Sequence, residues 1–431
     1  MPEHKTSMQE MIERRNRLLG KAYRLFYSEP VHIVRGEGVW LYDADGRRYL
    51  DVYNNVPHVG HCHPHVVDAL TRQIRTLNTH TRYLHEGVLE YAEKLVAKFP
   101  EPLCMAMFAC TGTEANELAL RIARAYTGGT GIIATENAYH GNSYAIAQIS
   151  TSYQSHEPRE PNIVTVPAPD SYRGRYREDD PQAGERFAAH LDEAIATLES
   201  RGIKPAAFIV DTIFSSDGLP RVPAAYLQKA VEKVRAAGGV FVADEVQPGF
   251  GRTGRYFWGF EGHGVVPDIV TLGKPMGNGH PISAVVTSPE IIESFEHKAR
   301  YFNTFGGNPV SCAAANAVLE VIETENLQQN AAGVGDYIKE GLNRLAECHE
   351  AIGDIRGSGL FIGIDIVSDR KNRTADGVCA TKIVDGLRQR GVLVGSTGPH
   401  NNVVKVRPSM VFDREHTDLL LQCLDETLSQ V

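Results

Sequence analysis

Phe241-Val242-Ala243-Asp244-Glu245-Val246-Gln247 runs straight into Gly249-Phe250-Gly251-Arg252-Thr253-Gly254, and further on stands Asp268-Ile269-Val270-Thr271-Leu272-Gly273-Lys274. Each stretch opens with a short apolar run of the kind a buried parallel strand needs. Each delivers one ionisable residue, Asp244 or Lys274, just past the end of that run. Working outward, similar runs lie at 132–134, 163–166 and 208–210, with helical patterns over 114–126 and 224–237 between them. Strands alternating with helices predict an α/β fold with a mostly parallel, doubly wound sheet. Ligands of such sheets bind beyond the carboxyl ends of the strands, where Asp244 and Lys274 are expected.

The rest of the chain adds to this core. Residues 7–27 read as an amphipathic helix. Val39-Trp40-Leu41-Tyr42 and Arg48-Tyr49-Leu50-Asp51-Val52 flank the turn signal Asp43-Ala44-Asp45-Gly46 and predict a hairpin. Residues 167–186, rich in Pro, Arg, Asp and Tyr, read as a long loop. After a helix at 310–323 come strands near 361–367, 392–394 and 403–406 and a final helix from about 414, a smaller α+β region. The 431 residues, 42% of them hydrophobic, suffice for a large core and more than one domain. The net charge of −9 is spread without a basic tract, so nucleic acid is not an expected partner. No apolar run has the length of a membrane span, and the first twenty residues lack an apolar signal core. The seven cysteines, odd in number and scattered, predict reduced thiols in a cytoplasmic protein.

The candidate site residues suggest one chemistry. Cys110-Thr111-Gly112-Thr113-Glu114 opens a helix, and such a start offers backbone N–H groups and a hydroxyl to a phosphate. The same residues also suit an ordinary cap, with Thr113 bonding the first turn. In Tyr139-His140-Gly141 the tyrosine can stack on a pyridine ring or fill a core. Asp244 alone would suit a helix cap or a metal, and Lys274 alone a surface position. At two strand ends together they suit pyridoxal 5'-phosphate (PLP): the lysine binds it as a Schiff base and the aspartate keeps its ring nitrogen protonated. His61-Cys62-His63-Pro64-His65 has metal-ligand residue types, yet no second ligand group accompanies it, and Pro64 suits a helix entry. No metal is expected.

These stretches, with Gly60-His61-Cys62-His63-Pro64 and Thr304-Phe305-Gly306-Gly307-Asn308-Pro309, resemble the class III PLP-dependent aminotransferases over nearly the whole chain. The resemblance implies a fold-type-I enzyme, a homodimer or a tetramer, with active sites at the subunit interface. It implies an N-terminal segment at 1–60 belonging to a small domain, a large PLP-binding domain at 61–309, and the rest of the small domain at 310–431. It further implies that Lys274 carries the cofactor and Asp244 pairs with the pyridine nitrogen. Gln247 would lie near the ring hydroxyl and Tyr139 would stack on the ring beside His140. Gly112 and Thr113 would bind the cofactor phosphate, which Thr304 would reach from the partner chain.

Further stretches resemble the ethanolamine-phosphate phospho-lyase branch of that family: Asn54-Asn55-Val56-Pro57-His58, Arg82-Tyr83-Leu84-His85, Tyr172-Arg173-Gly174-Arg175-Tyr176-Arg177-Glu178-Asp179, Pro275-Met276-Gly277-Asn278-Gly279-His280-Pro281 and Phe302-Asn303-Thr304. That branch also includes a phosphohydroxylysine lyase. Two departures from the aminotransferase pattern agree with it. Lys405, in Val404-Lys405-Val406-Arg407-Pro408, stands where many aminotransferases have the arginine that clamps a carboxylate. A lysine is a point charge and not a planar fork. Val210-Asp211-Thr212-Ile213-Phe214-Ser215-Ser216 lacks the Glu-Pro pair that serves a two-substrate cycle. The resemblance therefore implies elimination of phosphate from O-phosphoethanolamine, giving acetaldehyde, ammonia and phosphate. An ω-aminotransferase passing an amino group from a primary amine to a keto acid is the alternative, and a non-catalytic PLP-binding module a third. A dianionic leaving group needs cations, and Arg82, Lys405 and Arg407 are the candidates, with Asn54 and Tyr53 as hydrogen-bonding neighbours. Arg82 and Arg407 would equally suit surface or interface ion pairs.

Overall fold

The computed structural model describes residues 7–153 and 158–431. Its central sheet has seven strands in the order Met105–Ala109, Ser283–Thr287, Ile269–Leu272, Val240–Asp244, Pro205–Asp211, Gly131–Thr135 and Ile163–Val166. All neighbouring pairs are parallel except those of Ser283–Thr287, which runs antiparallel to both its neighbours. The sheet is mostly parallel, as expected. Pro205–Asp211, Val240–Asp244 and Ile269–Leu272 are buried along their whole length. Their side chains alternate between two cores. Ile209, Val242 and Ile269 pack with Leu118 and Ile122 of the helix Gly112–Thr127. Phe208, Phe241 and Val270 face the other way, with Phe187 and Leu191 of Ala183–Ser200 and Leu227 and Val231 of Tyr226–Ala236.

A second, antiparallel sheet orders Ile352–Ser358, Phe361–Asp369, Val403–Val406 and Gly395–Thr397, with Thr374–Ala375 added to Phe361–Asp369. A third combines Ile33–Glu37, Trp40–Asp43 and Arg48–Asp51 with Val392–Leu393, which pairs parallel to Arg48–Asp51. The two chain ends thus share one sheet. The expected hairpin is present, with an extra strand before it. The first helix is shorter than its pattern suggests: Met8–Leu19 stops at Gly20, whose φ is 73°. The expected loop ends early, because Ala183–Ser200 begins inside it. The helix Pro309–Thr324 is followed by a second, Leu327–Cys348, entered through Asn326 at φ 53°.

Arg252 fastens these parts together. Its guanidinium is fully buried and donates to the carbonyls of Leu360 (3.0 Å) and Pro408 (2.6 Å) and to His58 Nδ1 (3.1 Å). Burial, with Arg407 adding to the effect, lowers it to about 9. Arg252→Ala removes the donors of three buried acceptors and leaves a cavity, so a loss of about 3 kcal/mol or more is expected in denaturant unfolding. Arg252→Lys should recover less than half of that, because an ammonium cannot reproduce the fork.

A second expectation concerns Asp217, buried where it accepts from Thr135 Oγ1 (2.9 Å) and Asn137 N–H (3.2 Å). Burial pushes its carboxyl up to about 7, and Asp211 adds to this. The folded chain then holds a proton that the unfolded chain releases near pH ~4. Its contribution to stability falls as pH rises across that window. Asp217→Asn should therefore flatten the fall in melting temperature between pH 5 and 7.5, by about the share this one carboxyl carries; identical slopes for both proteins would count against it.

Candidate functional site

The sheet brings three residues into one row. Asp211 pairs with Asp244 and Asp244 with Thr271 across adjacent strands, so both carboxylates stand at the same carboxyl edge. Asp244 is buried and held on all sides. Its Oδ2 accepts from His140 Nδ1–H (2.7 Å) and Asn116 Nδ2–H (3.0 Å), and its Oδ1 from Val246 N–H (3.1 Å). Asn116 is itself fixed, accepting from Thr271 Oγ1 (2.7 Å) and donating to His140 O (2.7 Å). Since a carboxylate only accepts, His140 carries its proton on Nδ1, and its buried Nε2 has no partner among the described residues. Asp244 is thus a fixed acceptor with lone-pair capacity left on Oδ1.

Lys274 follows the next strand and opens the turn Lys274–Gly277. Its amine has no hydrogen bond or ion pair among the described residues. Burial holds it below the ordinary lysine value; Asp244 opposes this and Arg407 reinforces it. An amine of lowered basicity in a cleft suits both covalent attachment and proton transfer. Behind it, a Cβ on Gly273 would come within 3.4 Å of Gly112 Cα, so the lysine turn and the helix start touch through two glycines.

At that start the cap is Thr111, not Thr113. Thr111 Oγ1 accepts from Glu114 N–H, and Glu114 accepts from Thr111 N–H. Thr113 turns its hydroxyl to Asn142 instead, at 3.3 Å. The N–H groups of Gly112 and Thr113 have no acceptor within the helix and remain available to an anion. Gly141, at φ 138°, closes over them; a Cβ there would fall 2.3 Å from Thr113 Oγ1. These residues fit PLP: an acceptor for a ring nitrogen, a free amine, and a helix N-terminus for a phosphate.

Lys405 and Arg407 lie on the same side, both buried, from the strand Val403–Val406 and its continuation. Lys405 has no hydrogen bond or ion pair among the described residues, and burial, Arg407 and Lys274 together hold its amine well below the ordinary value. Arg407 Nη1–H donates to Gln247 Oε1 (2.8 Å) and Asn55 Oδ1 (3.3 Å), while its buried Nε is left unpartnered. The guanidinium sits 4.6 Å over the ring of Tyr53, which packs against Phe26. Glycines flank Lys405 on both sides, Gly363 and Gly395, and a Cβ at Gly395 would strike Phe26 and Tyr53 at 2.8 Å.

Other expected residues lie elsewhere or are otherwise engaged. Asn54 Oδ1 accepts from Val56 N–H (3.1 Å); the neighbour that meets Arg407 is Asn55. Tyr139 is half-buried, its ring 5.1 Å from that of Tyr153. Arg82 and Thr304 are exposed and near each other on another surface, Arg82 lying 3.9 Å over the ring of Phe302. The three histidines of the His61–His65 stretch turn to three different carboxylates, Asp51, Glu325 and Glu320. Asn116, Asn55, Asp211 and Ser215 were not singled out for these contacts from sequence. Asn116 is five residues past the cap Thr111 on the buried side of its helix, the one signal that points to it.

Comparison with known proteins agrees with this geometry. Residues 26–428 match the family model of the class III aminotransferases. A Drosophila melanogaster protein named alanine–glyoxylate aminotransferase 2-like is 46% identical, over 99% of this chain and 88% of its own length. A Caenorhabditis elegans protein named ethanolamine-phosphate phospho-lyase homolog 1 is 38% identical, over 98% and 94%. The structure of an Arthrobacter phospholyase in complex with phosphoethanolamine superposes with a TM-score of 0.95 at 45% identity, over 98% of this chain and 100% of that one. A PLP-bound amine transaminase from an uncultivated Pseudomonas species gives 0.86 at 31% identity, over 93% and 95%. The chain belongs to the class III aminotransferase family and is a PLP-dependent enzyme of fold type I.

Proposed function

We propose that this enzyme is a phospho-lyase that converts O-phosphoethanolamine and water to acetaldehyde, ammonia and phosphate. The observation that carries the reading is the buried pair Lys405 and Arg407, beside Lys274, with Lys405 Nζ and Arg407 Nε free of partners. Buried basic side chains with donors left unpartnered suit an anion. Phosphoethanolamine offers an amine for the Lys274 end of the cleft and a phosphate for the cation end. The likeness to an Arthrobacter phospholyase held with that compound supports the choice.

PLP, when bound, supplies an electron sink for the bond broken at the carbon bearing nitrogen. Asp244 holds its charge at that end, fixed by His140 and Asn116. Lys274 would take the proton from that carbon, a task its depressed basicity suits. The carbon–oxygen bond to phosphate then breaks, the oxygen leaving with the electron pair. Lys405 and Arg407 hold the growing negative charge. The enamine released is hydrolysed to aldehyde and ammonia.

A second reading, an ω-aminotransferase, is favoured by the aminotransferase name of the Drosophila relative. Incubation with phosphoethanolamine and no keto acid separates the two: the lyase yields phosphate and acetaldehyde in equal amounts, whereas the transaminase yields neither in catalytic quantity. Both readings keep an enzyme and not a mere binding module. The seven unpaired cysteines support a reducing compartment, with the cytoplasm as the proposed one; an Arabidopsis thaliana relative is named mitochondrial. Among the described residues no helix is long and apolar enough to cross a membrane.

The proposal includes a homodimer. Arg82 and Thr304 share their surface with Tyr83, Leu84, Phe302 and Phe305, large apolar side chains open to solvent; Leu84 is 96% exposed. A patch of this kind suits a partner subunit. Arg82 and Thr304 would then serve the neighbouring cleft. Dilution to monomer should release PLP, followed by its visible spectrum; a fully active monomer would exclude this arrangement.

For the cation pair, Lys405→Gln and Arg407→Gln should each lower phosphate release ~10²-fold, as for loss of one transition-state donor. Conversion of the bound cofactor by an unphosphorylated amine should change far less. Equal damage to both reactions would assign the two residues to the fold or the cofactor instead.

A further inference from the structure

Arg407 is held by a chain of hydrogen bonds that runs back into the large sheet. Gln247 Oε1 accepts from Arg407. Gln247 Nε2–H donates to Ser215 Oγ, and the Ser215 hydroxyl donates to Asp211 Oδ2. Ser215 is fully buried, and Asp211 and Gln247 nearly so. The chain has a direction. A carboxylate only accepts and a guanidinium only donates, so the two ends dictate every proton between them. An acceptor at Asp211 draws the hydroxyl proton of Ser215. The Ser215 oxygen is then left to accept from the amide NH₂ of Gln247, which turns the amide oxygen toward Arg407.

Asp211 cannot leave this post to neutralise Lys405. Its Oδ1 accepts from Ile213 N–H (3.1 Å) and its Oδ2 from Ser215 N–H (3.2 Å) as well as the hydroxyl, and more distantly from Gln247 Nε2–H (3.5 Å). The turn that shapes these contacts holds Phe214 at φ 53°, a conformation uncommon for a bulky side chain. Thr397 Oγ1–H, from the other sheet, donates to Ser215 O (3.0 Å) and pins the same residue.

We propose that Asp211 and Ser215 are positioning residues for the substrate's phosphate: through Gln247 they fix Arg407 so that its Nε, with Lys405, faces an anion while neither side chain is hydrogen-bonded to a carboxylate. This extends the phospho-lyase reading and rests on it. The consequence is sharp for Asp211→Asn. An amide at that end can donate to Ser215, whose hydroxyl then donates onward. In that orientation Gln247 would be reversed and would present NH₂ to a guanidinium, donor against donor; in the other, the amide oxygen keeps the relay and Ile213 N–H loses its acceptor.

The test uses the PLP-loaded enzyme with inorganic phosphate as the probe, its dissociation constant read by calorimetry, alongside KM and kcat on phosphoethanolamine. Ser215→Ala and Asp211→Asn should each weaken phosphate binding roughly 10-fold and raise KM in parallel, with kcat changed less, since each disturbs about one charge-assisted hydrogen bond. Ser215 acts through Arg407, so the double variant Ser215→Ala/Arg407→Gln should bind phosphate within about twofold of Arg407→Gln alone. A residue that merely supports the fold would give multiplying losses. Unchanged phosphate binding in both single variants, or losses that multiply in the double variant, would overturn the relay. The two readings fail separately. No phosphate released by the wild-type enzyme, with the coupling to Arg407 intact, would remove the lyase and keep the relay. Phosphate released as expected, with no coupling, would do the reverse.

Discussion

Three cations, Lys274, Lys405 and Arg407, stand in one buried cleft opposite two carboxylates, Asp211 and Asp244. Much of the architecture around the site answers that imbalance. Burying charge is costly unless it is paired, neutralised or reserved for a ligand. Asp244 is met by three hydrogen-bond donors. Lys274 and Lys405 escape the cost by losing basicity. Arg407 cannot, so it is given two amide oxygens, of Gln247 and Asn55, which satisfy its protons without cancelling its charge. An arriving dianion would reverse the shift at Lys405 and draw a proton onto it.

Holding these groups together requires that distant segments be rigid relative to one another. The large sheet supplies Asp211 and Asp244 in register, and the antiparallel sheet supplies Lys405. Arg252 spans the gap, with its forked donors on Leu360, on Pro408 next to Arg407, and on His58. It too is a buried cation without a carboxylate, and it repels Arg407. The sheet shared by the two chain ends brings Asp51, Tyr53 and Asn55 to the same place. Asp51 accepts from Tyr53 and Asn54 N–H, which sets the turn that presents Asn55 and lays the Tyr53 ring under Arg407.

What was legible in the sequence follows from how local each signal is. The parallel core could be read because apolar runs ending in Asp244 and Lys274 carry their own direction and depth. The strand Ser283–Thr287 could not be read as antiparallel, because five buried residues say nothing about the sense in which they run. The helix Leu327–Cys348 was hidden behind Pro309–Thr324, since only Asn326 in the left-handed region separates them. Gly20 stopped the first helix against an amphipathic pattern that continued. In the site, Lys274, Asp244, Gly112, Lys405 and Arg407 stand out by residue type at strand and helix ends. Ser215 and Asn55 do not. Their parts are defined by partners 32 and 352 residues away, contacts that only the folded chain creates.

The same limit explains why the shared machinery leaves the reaction type to a few side chains. With Lys274 as the proposed base, elimination and transamination would both begin with its taking a proton from the carbon bearing nitrogen. Transamination then requires that proton to return at another atom, and Lys274 is the group that can carry it. Elimination requires only that the neighbouring carbon–oxygen bond break first. Nothing at Asp244 or Lys274 distinguishes the two outcomes. Under the proposed reading the choice rests with groups that bear on the leaving oxygen, for which Lys405 and Arg407 are the candidates. A planar guanidinium at position 405 would match a carboxylate with two parallel hydrogen bonds. A lysine offers a single point charge instead of a fork, and under the proposed reading it would face the phosphate oxygen that leaves. A cation that strengthens as negative charge grows on the leaving oxygen stabilises the transition state more than the bound substrate, which is the condition for the departure of phosphate to outrun the return of the proton.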